Sequence, residues 1–145
     1  MHPFRYQKLQ LASSGVTMER LAQRYGTPLY VYNLDAIAER YQDYQRAFPD
    51  ALLCAAVKAN GNLGVLRRLA RLGSGFDVVS GGELERALRA GAPGERIVFS
   101  GVGKTAEEMD RALAAGILLF NVESEPELEL LAERAARARR VARYG

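Results

Sequence analysis

One lysine and one aspartate stand where apolar strands ought to end. Residues 51–57, Ala-Leu-Leu-Cys-Ala-Ala-Val, carry no charge, and Lys58 follows them directly. An apolar run of that length, bounded by Pro49 and Gly61, predicts a buried strand. A strand buried on both faces belongs to a parallel sheet covered by helices. The C-terminal end of such a strand is where α/β proteins place chemistry. Burial there disfavours an ammonium, and a neutral amine attacks aldehydes. Lys58 is therefore a candidate imine-forming lysine, weighed against a lysine that merely reaches solvent from a strand end. Asp77 interrupts a second apolar run, Phe76–Val79. A carboxylate within a buried strand needs a partner, and Lys58 on a neighbouring parallel strand would supply one. The alternative is a carboxylate bonded to backbone N–H groups of a turn.

Other chemistries find no support. His2 is the sole histidine, which argues against a histidine triad or a histidine-held metal, so no metal is expected. Cys54 is the sole cysteine and reads as a buried, unreactive thiol inside the apolar run. Gly101-Val102-Gly103-Lys104-Thr105 resembles the end of a nucleotide loop, but Val98 stands where that motif needs a glycine. The loop still precedes a helix N-terminus and could offer N–H groups to an anion. The net charge of +3 is mild and suggests neither nucleic acid nor a membrane surface. Arg134, Arg137, Arg139, Arg140 and Arg143 gather near the end of a helix, as a solvated face would. No leader and no membrane span is evident, and a cytoplasmic location is expected.

The positioning elements form a repeat. Strands are expected at 51–57, 76–79, 97–100 and 117–122, with helices at 63–72, 81–90, 106–115 and 125–139, and a further strand begins near Val141. The unit recurs about every 20 to 24 residues, the spacing of a compact βα repeat. Ser80 with Glu83, Thr105 with Glu108 and Ser124 with Glu127 each fit a capping box. Upstream, residues 4–16 read as irregular with a short extended piece. A helix is expected at 18–25, a β-prone strand at 29–32, and a helix from Asn33 or Asp35 to Pro49 with Ile37, Tyr41, Tyr44 and Phe48 at the core edge.

Five pieces, Gly26–Tyr32, Ala56–Asn60, Gly75–Leu84, Phe99–Lys104 and Phe120–Ser124, occur in an order and spacing that resemble the N-terminal part of the diaminopimelate decarboxylases. These belong to the alanine-racemase-like (fold type III) pyridoxal-phosphate enzymes. The resemblance covers nearly the whole chain. It implies an α/β fold: the first half of a (β/α)8 TIM barrel, preceded by a short helix and a strand of a separate β-domain. Residues 1–33 would form the N-terminal segment and 34–145 a partial barrel domain. Lys58 would be the catalytic lysine that bonds pyridoxal 5′-phosphate, with Asp77 beside it as a cofactor-binding residue and Glu83 and Ser100 as further candidates around them.

The implied reaction removes carbon dioxide from meso-2,6-diaminopimelate to give L-lysine. The implied partners are an amino-acid substrate and a second copy of the chain, with no nucleic acid or membrane. A related decarboxylase of arginine, ornithine or a carboxylated polyamine, and a non-catalytic pyridoxal-phosphate-binding or truncated protein, are the alternatives. Ala55 departs from the family, which often has an aromatic residue there. A whole barrel takes about 250 residues, so the phosphate loops, the acidic partner of the pyridine nitrogen and the C-terminal β-domain are expected outside these 145 residues. On that footing the 145 residues alone are expected to lack decarboxylase activity and to leave Val, Leu and Phe side chains open to water on the inner sheet face.

Overall fold

The computed structural model describes residues 2–145. They fall into two compact units, the first ending at Asp43 and the second spanning Tyr44–Gly145.

In the first unit β1 (Arg5–Gln7), β2 (Gln10–Ser13) and β3 (Val16–Thr17) form an antiparallel meander. The sequence reads residues 4–16 as an irregular stretch with one short extended piece; three paired strands run from Arg5 to Thr17 instead. Both hairpins turn through two residues of positive φ: Lys8 and Leu9, then Ser14 and Gly15. Paired left-handed residues match the twist of the flanking strands. Lys8-Leu9 lacks the usual Asn or Gly, so composition hid that turn. Thr17 caps α1 (Met18–Tyr25) by accepting from Arg20 N. Residues 29–32 are not a strand. Propensity alone does not make one; a ladder partner is needed, and none pairs with this run among the described residues. Asn33 caps the next helix, α2 (Leu34–Ala47), by accepting from Ala36 N at 2.8 Å, and the last turn of that helix falls in the second unit. Ala38 is buried, Ile37 and Tyr41 are half-buried, and Tyr44 and Phe48 are more than half exposed, so the core edge covers only the first half of the expected stripe.

In the second unit the βα repeat appears as expected. β4 (Cys54–Ala56), β5 (Gly75–Val78), β6 (Ile97–Phe99) and β7 (Leu119–Phe120) lie side by side in that order, all parallel. Between and after them run α3 (Leu63–Arg71), α4 (Gly81–Arg89), α5 (Ala106–Ala115) and α6 (Glu125–Ala138). Beyond α6 the chain returns to the sheet, where Tyr144 bridges Phe120 in parallel. Sequential parallel strands joined by helices are the βα half-barrel pattern.

Alternation divides the sheet into two faces. Phe76, Val78, Ile97, Phe99 and Phe120 point to the helices and are buried, with Phe99 and Phe120 stacked at 6.3 Å. Leu66 and Leu69 of α3, Leu84 of α4, Met109 and Leu113 of α5 and Leu131 of α6 close over them. The other face carries Ala56, Asp77, Val98, Ser100, Leu119 and Asn121, all partly exposed, and Cys54. The phenylalanines expected on the inner face are thus on the outer one. Cys54 is exposed rather than buried, because its place in the alternation turns it away from the helices. Burial of the thiol against the sheet still raises its pKa; Asp77 adds to this and Arg96 opposes it.

Candidate active site

β4 is shorter than its apolar run. After Ala56 the chain tightens into a single 3-10 turn, Val57–Ala59, with Val57 buried and Lys58 exposed. The turn closes with Asn60 N donating to Val57 O at 3.0 Å. Asn60 Oδ1 accepts from Asn62 N, and Asn62 Oδ1 caps α3 through Gly64 N. Arg86 of α4 donates to Gly61 O at 3.2 Å. Lys58 therefore sits on a short, tied loop at the C-terminal end of the sheet. Val57, Lys58, Gly61, Asn62, Glu83 and Arg86 surround an open cavity of about 390 Å³. A hollow of about 540 Å³ elsewhere in this unit is lined by Ala112, Leu113, Gly116 and Arg140. It lies at the end of α5, beside the start of β7, and so at the other end of the strands from Lys58.

The two expected neighbours of Lys58 part company. Glu83 lines the same cavity, and its Oε2 accepts from Val79 N at 2.9 Å. Asp77 pairs in register with Ala56, two residues before Lys58 and at the same end of the sheet. Its carboxylate turns along the sheet instead: Ser100 Oγ donates to Asp77 Oδ1 at 2.5 Å, and Asn121 Nδ2 donates to Ser100 Oγ at 2.9 Å. No ion pair joins Asp77 to Lys58 among the described residues. The structure thus brings Asp77 together with Ser100, and Lys58 together with Glu83. Asn121 escaped the sequence reading; its only signal was a polar residue ending the apolar strand 117–122.

Lys104 was read only as part of a loop. Its side chain is 1% exposed and its Nζ donates to Glu127 Oε1 at 2.6 Å, Asn121 O at 2.6 Å and Gly101 O at 2.7 Å. That satisfies all three donors of an ammonium and removes it from anion binding. The capping boxes are realised unequally. Thr105 and Glu108 make both reciprocal bonds. Ser80 and Ser124 accept from Glu83 N and Glu127 N, but the two glutamates reach back one residue further, to Val79 N and Glu123 N. Glu108 also accepts from Gly81 N at 2.6 Å, tying α5 to the start of α4. The Thr105 and Gly81 N–H groups hold its carboxyl below the usual glutamate range. In the basic cluster, Arg134 makes a two-pronged pair with Asp110 of α5 and Arg137 pairs with Glu133. The Arg134 guanidinium lowers the Asp110 pKa.

No cluster of metal-ligating side chains is found, and no helix is long and apolar enough to cross a membrane, among the described residues. The model of the family described as "Pyridoxal-dependent decarboxylase, pyridoxal binding domain" matches residues 34–144. The chain is 51% identical over 138 residues to a diaminopimelate decarboxylase of Aquifex aeolicus, covering 95% of this chain and 33% of that protein. It is 53% identical to the diaminopimelate decarboxylase of Pseudomonas aeruginosa, covering 94% and 33%. The crystal structure of diaminopimelate decarboxylase from M. jannaschii in complex with L-lysine superposes with a TM-score of 0.93 at 37% identity, covering 98% of this chain and 35% of that one. The chain thus spans about a third of the length of the relatives it matches.

Proposed function

The chain belongs to the pyridoxal-dependent decarboxylases, through their pyridoxal binding domain, and on that footing we propose that Lys58 is the residue that takes the cofactor, pyridoxal 5′-phosphate. The carrying observation is the contrast in setting. Lys58 stands on the 3-10 turn that follows a parallel strand, is exposed, and opens on a cavity. The other lysine of the strand-end loops, Lys104, is sealed in an ion pair.

The residues fit such a group. Lys58 is exposed, not buried as the apolar run suggested. Its ammonium has no ion pair to break among the described residues, and it gives a proton to water before the neutral amine meets an aldehyde. Arg86 and Lys58 place two cationic side chains around the cavity, which suits an anionic ligand. When bound, the cofactor supplies the sink for electrons released as a carboxylate leaves, and that chemistry is its own. The chain's part is placement. The 3-10 turn and the Arg86–Gly61 bond hold the Lys58 amine at the rim. Glu83 fixes the turn after β5 through Val79 N. Asp77 keeps a carboxylate on the adjoining strand.

In the whole protein we infer a carboxy-lyase acting on meso-2,6-diaminopimelate to give L-lysine, a small amino-acid substrate. Identities of 51% and 53% to proteins of that name support this choice over arginine, ornithine or polyamine substrates. The family match begins at residue 34, which supports a pyridoxal-binding domain over 34–145 after an N-terminal segment. A cytoplasmic homodimer completes the reading.

The test is chemical. The protein is loaded with pyridoxal 5′-phosphate, reduced with borohydride, digested and mapped. The label is expected on the peptide holding Lys58. A label on Lys104 with Lys58 unmodified would sink the assignment.

A further inference from the structure

Three neighbouring strands place a polar residue near their C-terminal ends on one sheet face: Asp77 in β5 and, two residues further along the register, Ser100 just past β6 and Asn121 just past β7. Ladder bonds fix their backbones, Ser100 N donating to Val78 O and Asn121 N to Phe99 O. Their side chains join in one line. Asn121 Nδ2 donates to Ser100 Oγ, and Ser100 Oγ donates to Asp77 Oδ1. The line does not stop at Asn121. Its carbonyl accepts from Lys104 Nζ, which is bonded in turn to Glu127. A fully buried ion pair is a poor way to gain stability, since desolvation consumes most of the attraction. It is a good way to fix geometry, and the atom it fixes outside its own loop and helix is the Asn121 carbonyl.

We propose that Ser100 and Asn121, with the Lys104–Glu127 pair behind them, are positioning residues that hold the Asp77 carboxylate at a set place beside the strand end that presents Lys58. The proposal rests on the reading of Lys58 as the cofactor lysine. Its physical content is that an untethered Asp77 would rotate. Asp77 pairs with Ala56, two residues before the Lys58 ammonium, and strands rise only about 3.3 Å per residue. A carboxylate so placed would swing toward that cation or into solvent. The hydroxyl of Ser100 holds it along the sheet, and the amide of Asn121 holds the hydroxyl. Lys58 is then left without an ion pair and with its amine open to the cavity.

Cys54 lies on the same face and reports on Asp77 without any cofactor. Two charged groups act on its thiol, Asp77 and Arg96, in opposite senses. It is the sole cysteine of the chain, so alkylation by iodoacetamide reads it alone. The experiment follows alkylation rate against pH in the cofactor-free chain. Asp77→Asn should react about two- to threefold faster near pH 8, as removing a nearby anion frees the thiolate. Ser100→Ala and Asn121→Ala should each move the profile at least halfway toward that of Asp77→Asn. Ser100→Thr keeps the hydroxyl and should match the parent. The paired variant Lys104→Met/Glu127→Leu, which leaves no charge unpartnered, should move the profile in the same direction.

Parental profiles for Ser100→Ala and Asn121→Ala beside a shifted Asp77→Asn would overturn the proposal, since something else then holds the carboxylate. An unshifted Asp77→Asn would overturn it too, because Asp77 is then not fixed on that face. Neither result bears on the borohydride map of Lys58, so the two readings fail separately. A positive thiol result with Lys58 unlabelled would leave the polar line intact and remove its role beside a cofactor.

Discussion

Two loops of the same sheet, the one after β4 and the one after β6, each carry a lysine and are built in opposite ways. Lys58 is exposed on a single 3-10 turn, held from outside by one guanidinium-to-carbonyl bond. Lys104 is buried, with three acceptors around its Nζ, and its loop leads into a complete capping box. Residue type does not separate them, nor does position at a strand's C-terminal end. The difference lies in what the next βα unit offers. The helix after β7 brings Glu127 under Lys104. The unit after β4 brings Asp77 and Glu83, but Ser100 holds the first carboxylate and Val79 N the second. A lysine becomes structural when a carboxylate comes to it, and stays available when the carboxylates of the neighbouring unit are tied elsewhere.

The largest expected effect follows from the buried pair. Lys104→Met leaves the Glu127 carboxylate desolvated and unmatched, which should cost about 3 to 5 kcal/mol of stability. Lys58→Met removes an exposed ammonium and should stay within about 0.5 kcal/mol. Urea unfolding of both variants beside the parent measures the gap. Equal losses would erase the division between a structural and an available lysine.

Acid should separate the two loops by a smaller amount. Glu108 braces the Lys104 side, accepting from Thr105 N and Gly81 N, and its folded pKa is lowered. The bracing is therefore present above the ordinary glutamate value of about 4.3. It is lost as pH falls through the lower folded value. Glu108→Gln should be less stable by about 1 kcal/mol at neutral pH, since the site is only half-buried. The deficit should shrink as pH drops below about 4. A deficit that stays constant down to strong acid would mean that Glu108 acts by packing and not by charge.

Much of this arrangement was legible in the sequence. The βα repeat showed because glycines, capping serines and threonines and apolar runs punctuate it at regular intervals; α1 and α5 begin and end where the spacing puts them. The expected strand 51–57 shrank to Cys54–Ala56 because pairing, not hydrophobicity, sets strand length. The three-stranded meander was missed because Lys8-Leu9 adopts a turn conformation that its residue types disfavour. Residues 29–32 have the right composition and no ladder. At the site, Lys58, Asp77, Glu83 and Ser100 were all singled out, yet their pairing was not. Which carboxylate meets which donor depends on side-chain direction across three strands, and that is set by register. Lys104 and Asn121 stayed hidden for the same reason: their partners lie 23 and 21 residues away in the chain.

The smallest effect tests how softly the Lys58 loop is held. Arg86 lies on α4 and is exposed, and its bond to Gly61 O spans 25 residues of chain. A hydrogen bond from an exposed guanidinium competes with water and contributes little to global stability. The loop also has local ties, the Asn60–Asn62 and Asn62–Gly64 bonds, which Arg86→Ala leaves intact. The variant should therefore unfold within about 0.5 kcal/mol of the parent. Its signature should be local: faster hydrogen exchange over residues 60–62, by roughly threefold, with the strands unchanged. Arg86→Lys should restore part of the protection, since an ammonium can reach the same carbonyl without the fork's fixed geometry. If Arg86→Ala instead destabilised the fold as much as Lys104→Met, the Lys58 loop would be as firmly anchored as its counterpart. The contrast would then have to rest on exposure alone.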